Sequence, residues 1–354
     1  MYSKSSAIVF ERPKQAVLKE IRLPEVDDET IVVRIHYSAL STGTEMKVYN
    51  GITGSLGGNL WYPLVPGYEG VGEVVFVGDK AARTYAGETL KIGDRVMANE
   101  VRKYPEYCAA WGGQVEYAVK NRKTAGAPFD RCALIPDGVT YQEAVAAYLA
   151  CVAKKGIDKT AIKQGETILV IGMGNVGLSA LQLAKLAGAG KVIAMDTAEP
   201  RLQRAKKFTD LCIHLGKDIE AAVRSLAEMT DNRLADVVIE ASGSSASAAE
   251  TYRFVRDGGW ENGDNGGRIH LQGEYPDPII INPYWRWFDK NLTISTSCAV
   301  NPGDKEAMLA LIRDKKFDAQ SLITMEMPIK EAPAAYELMN RKRDEIPKIL
   351  FSWG

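Results

Sequence analysis

The chain has 354 residues, a formal net charge of −1, and 46% hydrophobic and 25% charged residues. At about 150 residues per domain this is room for two domains that bury their own cores, and the near-neutral charge gives no field to draw the chain onto nucleic acid or an anionic membrane. No run reaches the roughly 18 apolar residues of a membrane-spanning helix, the mixed-charge start does not read as a signal peptide, and five scattered cysteines without a CxxC pair (Cys108, Cys132, Cys151, Cys212, Cys298) point to reduced thiols and the cytoplasm.

The first part reads as β. Ala7–Phe10, Thr30–Tyr37, Gly70–Val77 and Arg95–Ala98 are short apolar or alternating runs separated by Gly, Pro and Asp clusters, the pattern of a meander or partly open barrel. Gly51–Gly58 is a glycine-rich loop, Val101–Gly113 a long loop holding Tyr104, Tyr107 and Trp111, and Gln114–Val119 another strand. After Thr140 the pattern changes. Gln142–Ala153 is Ala-rich and apolar on most faces, which predicts a buried helix. Strands then alternate with helices: Ile168–Ile171, helix Val176–Ala187, Lys191–Met195, helix Arg201–Phe208, helix Ile219–Met229, Asp236–Glu240, then Gly267–Gln272 and Leu292–Ser295. That alternation predicts βαβ units and a parallel sheet. The tail from Lys305 holds a helix at Lys305–Arg313 and a second at Glu331–Asn340.

Residues 168–177 read ILVIGMGNVG, a buried strand running into GxGxxG and then a helix. In this context the motif binds a dinucleotide. Gly172 permits the tight turn, Gly174 lets the pyrophosphate approach the backbone, and Gly177 lets helix and strand pack closely. Asn175 and Val176 open the helix whose N-terminal N–H groups face the phosphates. Asp196 ends the second strand at the offset of a carboxylate that accepts the ribose hydroxyls and repels a 2′-phosphate, so NAD is expected over NADP, with Arg201 weakening the preference. The alternative is a structural glycine turn with Asp196 as a downstream helix cap.

Thr42-Gly43-Thr44-Glu45, Pro66-Gly67-Tyr68-Glu69-Gly70 and Gly93-Asp94-Arg95-Val96, with Asp236–Gly243 and Gly266–Gly273 later, resemble the signatures of the medium-chain dehydrogenase/reductase family over nearly the whole chain. STGTE and YPLVPGYE are similar to the branch containing bacteriochlorophyllide dehydrogenase. The resemblance implies an α/β chain: a GroES-like β-barrel catalytic domain, 1–150 completed by 299–354, and a Rossmann doubly wound parallel sheet at 151–298. It also implies a homodimer, expected to pair through Arg268–Gln272 and Leu292–Ser295, and a nicotinamide backed by Val152.

Members with catalytic zinc carry Cys where Thr42 stands, His where Tyr68 stands, and Cys or Glu at the position matching Tyr148. All three are hydroxyl residues here, poor zinc ligands, and the lobe that often holds a structural zinc keeps only Cys108. No metal site is therefore expected, and His36, His214 and His270 read as solvated or satisfied histidines. Without zinc another donor must polarise the carbonyl. Tyr68 is the first candidate and Tyr148 the second, with Thr44 passing the proton outward and Lys47 as the cation that lowers the phenol's pKa. The alternatives are packing for both tyrosines, a solvated role for Lys47, and structural roles for Glu45 and Glu69. The aromatics Tyr49, Trp61, Tyr107, Trp111 and 284–288 (YWRWF) suit a ring-shaped small-molecule substrate, or fill a seam or subunit interface. The expected activity is zinc-independent, NAD-linked interconversion of a secondary alcohol and a ketone. A zinc-free enone or quinone reductase and a non-catalytic dinucleotide-binding protein are the alternatives.

Overall fold

The computed structural model describes residues 2–53, 59–81, 83, 84, 86–101, 103–121, 131–258 and 266–354. Residues 54–58 of the glycine-rich loop expected at Gly51–Gly58, and Arg102 of the loop after it, lie outside these. Contacts divide the chain into two units, Met1–Cys151 with Val300–Gly354, and Val152–Ala299.

The first unit begins with β1 (Lys4–Arg12), β2 (Gln15–Arg22), β3 (Thr30–Ser41) and the short helix α1 (Thr44–Tyr49). It continues with β4 (Leu64–Val65), β5 (Gly70–Val77), β6 (Arg95–Met97), β7 (Cys108–Ala109), β8 (Tyr117–Asn121) and β9 (Ala133–Leu134). Helix α2 (Tyr141–Thr160) gives its residues through Cys151 to this unit and the rest to the other. The second unit holds β10 (Thr167–Ile171), α3 (Asn175–Leu186), β11 (Lys191–Asp196), α4 (Glu199–Ala205), β12 (Cys212–His214), α5 (Ile219–Met229), β13 (Val237–Glu240), α6 (Ser245–Glu250), β14 (Arg268–Leu271), α7 (Tyr284–Phe288) and β15 (Thr293–Thr296). The chain then returns to the first unit with α8 (Asp304–Arg313), β16 (Met325–Pro328), α9 (Ala332–Arg341) and β17 (Lys348–Ser352).

In the first unit, β3 is the hub. It pairs antiparallel with β5, β8 and β17, which draws the C-terminal strand into a seven-stranded sheet alongside β16, β6 and β9. A four-stranded sheet of order β2-β1-β4-β7 completes the unit. β3 and β5 approach so closely that a Cβ on Gly72 would stand 1.9 Å from the Arg34 carbonyl oxygen, which only glycine allows. Phe10, Tyr49 and Tyr336 form an aromatic knot with centroids 4.9–5.4 Å apart. Each such pair adds about 0.5–1.5 kcal/mol beyond its buried area, so α9 is held on the barrel by the same rings that fill its core.

The six strands of the second unit are all parallel, in the order β12-β11-β10-β13-β14-β15. That is the doubly wound Rossmann order. β10 and β13 are buried almost throughout because neighbours flank both edges and helices cover the faces. β15 is the sheet edge and is largely exposed.

Several boundaries differ from the sequence reading. α2 runs seven residues past the expected end at Ala153, as far as Thr160, because 154–160 continue without Pro and their Gly156 is needed small: a Cβ there would meet Gln272 Oε1 at 1.7 Å. The strand expected at Gln114–Val119 starts at Tyr117, since Gln114 turns its side chain into a buried network. β2, β4, β7, β9, β12, β16 and β17 were not expected, and β7 falls within the stretch expected as the loop Val101–Gly113. β17 carries Lys348, which reads as a surface residue yet is fully buried.

Candidate active site

The second unit supplies the dinucleotide turn. β10 ends at Ile171, and Gly172 adopts φ +93°, where an added Cβ would stand 2.5 Å from Ser242 N. A Cβ on Gly177 would stand 1.8 Å from the Gly172 carbonyl oxygen, so helix and turn touch through glycine alone. Nothing lies within 4 Å of the Cβ position of Gly174, which leaves the backbone open to a phosphate at the N-terminus of α3. Asn175 is buried and Val176 half-buried in the first turn of α3. Asp196 closes β11, 5% exposed, accepting from Met173 N (2.6 Å) and Ala198 N (2.8 Å), with Arg201 Nη1 3.9 Å away. The carboxylate thus sits against the turn itself. Val152 is half-buried, and Gln272 Nε2 donates to its carbonyl at 3.2 Å.

The first unit supplies the hydroxyl cluster. Tyr68 precedes β5 and is 8% exposed. Its ring stands edge-on to Trp111 and beside Tyr148, both with centroids 5.5 Å away, and its hydroxyl hydrogen-bonds Thr44 at the start of α1. Tyr148, on α2, donates to Glu100 Oε1 at 3.1 Å. The structure therefore brings Tyr68, Thr44 and Tyr148 together. Thr42 lies half-buried in the turn before α1, and Lys47 half-buried on α1 itself.

One expectation needs correcting. Burial, the largest effect, pushes the Tyr68 phenol well above its usual range; the carboxylates of Glu69, Glu45 and Glu100 push the same way, and the Thr44 hydrogen bond opposes them. Tyr68 sits among buried acidic side chains and is neutral at physiological pH, its phenol pKa raised and not lowered as expected. A cation close to Tyr148 is Lys305, on α8, 1% exposed, 6.0 Å from the Tyr148 ring centroid and donating to the Arg131 carbonyl at 2.9 Å. Burial, then neighbouring Lys120, lowers its amine to about 8.

The same unit buries two acidic side chains next to Tyr68 and Thr44 in sequence, Glu69 and Glu45. Glu69 pairs with Lys348 and accepts from Ser41 Oγ at 2.6 Å. Glu45 accepts from the Tyr336 hydroxyl and from Gln114 Nε2 (3.2 Å); Gln114 also accepts from Ser38, which in turn accepts from Trp353 Nε1 at 2.8 Å. Glu100, Lys305, Lys348 and Tyr336 carried no motif that could have singled them out. A lone lysine inside the apolar run of β17 was the one available signal.

The hydroxyl set at Thr42, Tyr68 and Tyr148 does not fit zinc, which takes thiolate, imidazole or carboxylate. Among the described residues no three His, Cys, Asp or Glu side chains are grouped so as to hold a metal ion. His36 stacks on Tyr141, His214 bonds the Thr197 carbonyl at 2.9 Å, and His270 lies between the Ser295 and Ser297 hydroxyls, where burial holds its pKa down to about 4. No helix of the described residues is long and apolar enough to cross a membrane.

A glycine turn of this geometry at the carboxyl end of a parallel strand defines a dinucleotide-binding fold. Residues 27–170 match the family model of the alcohol dehydrogenase GroES-like domain, and 175–314 that of zinc-binding dehydrogenase. The chain belongs to the medium-chain dehydrogenase/reductase family of zinc-type alcohol dehydrogenases, and it is an oxidoreductase with a nicotinamide cofactor. It is 28% identical to a probable D-xylulose reductase A of Aspergillus clavatus over 94% of this chain and 92% of that one. It is 27% identical to a sorbitol dehydrogenase of Bombyx mori over 68% of each chain. The fold is shared with galactitol-1-phosphate dehydrogenase of Escherichia coli, TM-score 0.79 at 18% identity, covering 98% of this chain and 100% of that one.

Proposed function

We propose that the chain is a zinc-independent, NAD-linked dehydrogenase that interconverts a secondary alcohol and a ketone on a polyhydroxylated or ring-shaped small molecule. The carrying observation is the Tyr68–Thr44 hydrogen bond at a position where relatives of zinc type hold their metal, with Tyr148 packed beside it. Relatives named for xylulose and sorbitol support a polyol or sugar substrate.

The turn at Gly172, Gly174 and Gly177 would hold the nicotinamide dinucleotide, which would supply the hydride acceptor or donor. The protein's own residues handle the oxygen and the proton. Thr44 donates to Tyr68, which leaves the Tyr68 O–H for the substrate oxygen. Because the phenol stays protonated, it acts as a donor to the carbonyl in reduction. In oxidation the same hydrogen bonds run in the opposite sense, substrate hydroxyl to Tyr68 and Tyr68 to Thr44: the substrate proton passes to the Tyr68 oxygen, the phenol's own proton to Thr44 and the Thr44 hydroxyl proton outward to solvent, with no phenolate formed. Tyr148, committed to Glu100, packs and orients Tyr68 and excludes water. Lys305 provides a buried positive charge near the place a metal would otherwise occupy.

The test combines metal depletion and substitution. Chelator-treated protein, assayed with polyols and sugars, should keep its turnover, while Tyr68→Phe should retain NAD affinity and lose about 10²–10³-fold in turnover. Loss of activity with the chelator, or unchanged turnover in Tyr68→Phe, overturns the reading.

A further inference from the structure

Loops follow the carboxyl ends of β10, β13 and β14, and ligands of open parallel sheets bind outside such ends. At the centre of these three loops is Glu240, the last residue of β13, in register with Ile171 of β10 and Leu271 of β14 and fully buried. Its carboxylate oxygens accept from uncharged donors. One carboxylate oxygen accepts from the Ser242 hydroxyl and from Ser242 N at 3.2 Å. The other accepts from the Tyr275 hydroxyl, which also lies 3.2 Å from the Glu240 carbonyl. The Ser242 hydroxyl in turn accepts from Ser244 N at 3.1 Å.

These bonds reach the dinucleotide turn. Ser242 N is the atom a Cβ on Gly172 would strike at 2.5 Å, and Ala241 N donates to the Ile171 carbonyl at 2.7 Å. On the other side, a Cβ on Gly273 would stand 2.8 Å from Gly243 Cα and 3.0 Å from the Tyr275 ring. One buried carboxylate therefore fastens the loop after β13, which lies against the glycine turn, to the loop after β14. Burying a carboxylate among hydroxyl donors is a poor way to fill a core, since an apolar side chain avoids the desolvation. Burial raises the carboxyl's pKa, and the Ser242 and Tyr275 hydrogen bonds oppose that rise. What the arrangement achieves is loop geometry.

The half of the cofactor that depends on it follows from strand order. Asp196 closes β11, on the β10-β11-β12 side, where the ribose of the adenosine half is expected. The β13-β14-β15 side then faces the second mononucleotide. We infer that Glu240 and Tyr275 are positioning residues for the nicotinamide half of the cofactor, holding the 241–244 and 273–275 loops in the shape that receives it. The inference rests on the dinucleotide assignment.

The experiment is calorimetric titration of the full chain with NADH and with ADP-ribose, which lacks the nicotinamide. Tyr275→Phe keeps the ring and removes one hydroxyl. It should weaken NADH about tenfold, the worth of one net hydrogen bond, and leave ADP-ribose within about twofold. Ser242→Ala, which removes the other arm, should show the same split and serves where Tyr275→Phe does not fold. Equal losses for both ligands, or none for either, overturn the inference and leave the pair a structural contact. If the unsubstituted chain binds neither ligand, it is the dinucleotide assignment that fails, and the positioning role with it.

Discussion

Glu45 follows Thr44 on α1 and is 1% exposed, with the Tyr336 hydroxyl and Gln114 as partners. Burial, the largest effect, pushes its carboxyl from 4.5 up to about 8; the hydrogen bonds and Lys348 oppose this, and Glu69 adds to it. The folded protein then holds a proton that the unfolded chain has already released. Stability from this group is complete below about pH 4.5 and is lost as pH rises to about 8. His270 acts oppositely: its folded pKa of about 4 lies below the ordinary 6.5, so its contribution is lost as pH falls through that window. Glu45→Gln isolates the first effect. Melting temperatures between pH 5 and 8 should fall with pH in the parent protein and fall less in Glu45→Gln; parallel curves would refute the assignment. Asp196 carries a second prediction at this scale. NAD(H) should bind more tightly than NADP(H), and Asp196→Ala should narrow the gap, because a repelled 2′-phosphate is worth about 1–3 kcal/mol. Titration of both cofactors decides it, and equal affinities in the parent protein would remove the argument.

Among the elements, β17 depends most on a single pair. Lys348 and Glu69 are 0% and 1% exposed, and their ion pair ties β17 to the segment that carries Tyr68. Removing one partner of a buried pair leaves an uncompensated charge, at a cost of about 3–5 kcal/mol. Lys348→Met should lower the denaturation midpoint accordingly, and adding Glu69→Gln should recover most of the loss. A double variant no more stable than the single would show that the pair is not the source. This element also marks where reading a sequence stops. The Gly172 turn was legible because its determinants are local: an apolar strand, three glycines and a helix within ten residues. Tyr68 and Thr44 were legible through motifs in one stretch of chain. β2 was not, because Lys19 and Glu20 break its alternation, and β17 was not, because Lys348 reads as solvated until Glu69, far away in sequence, is placed beside it. The role of Lys305 escaped for the same reason. Its surroundings, Arg131, Tyr148 and Glu100, come from distant parts of the chain, whereas Lys47 was chosen for its nearness in sequence to Thr44.

For the whole molecule, the open question is what covers β15. Its outer edge has no strand partner among the described residues, Ile294 on it is 43% exposed, and Trp285 and Phe288 of α7 are 55% and 54% exposed. An edge with apolar side chains invites pairing with another chain. We expect a homodimer joined along β15, read as twice the 38.8 kDa chain mass by light scattering at micromolar concentration, and converted to a monomer by Ile294→Lys. A monomeric parent protein would refute this.

The first unit's split in sequence has a consequence during synthesis. Residues 152–299 form a contiguous unit that can close as soon as they leave the ribosome, while the barrel must wait for Tyr336, Lys348 and Trp353. Until they arrive, Glu45 lacks its Tyr336 donor and Glu69 its Lys348 partner, Phe10 and Tyr49 lack their third ring, and β3 has an open side where β17 will pair. The N-terminal 151 residues, made first, are thus the last to be finished, and a nascent chain stalled before β17 presents an unpaired strand edge to chaperones and to its neighbours on the polysome.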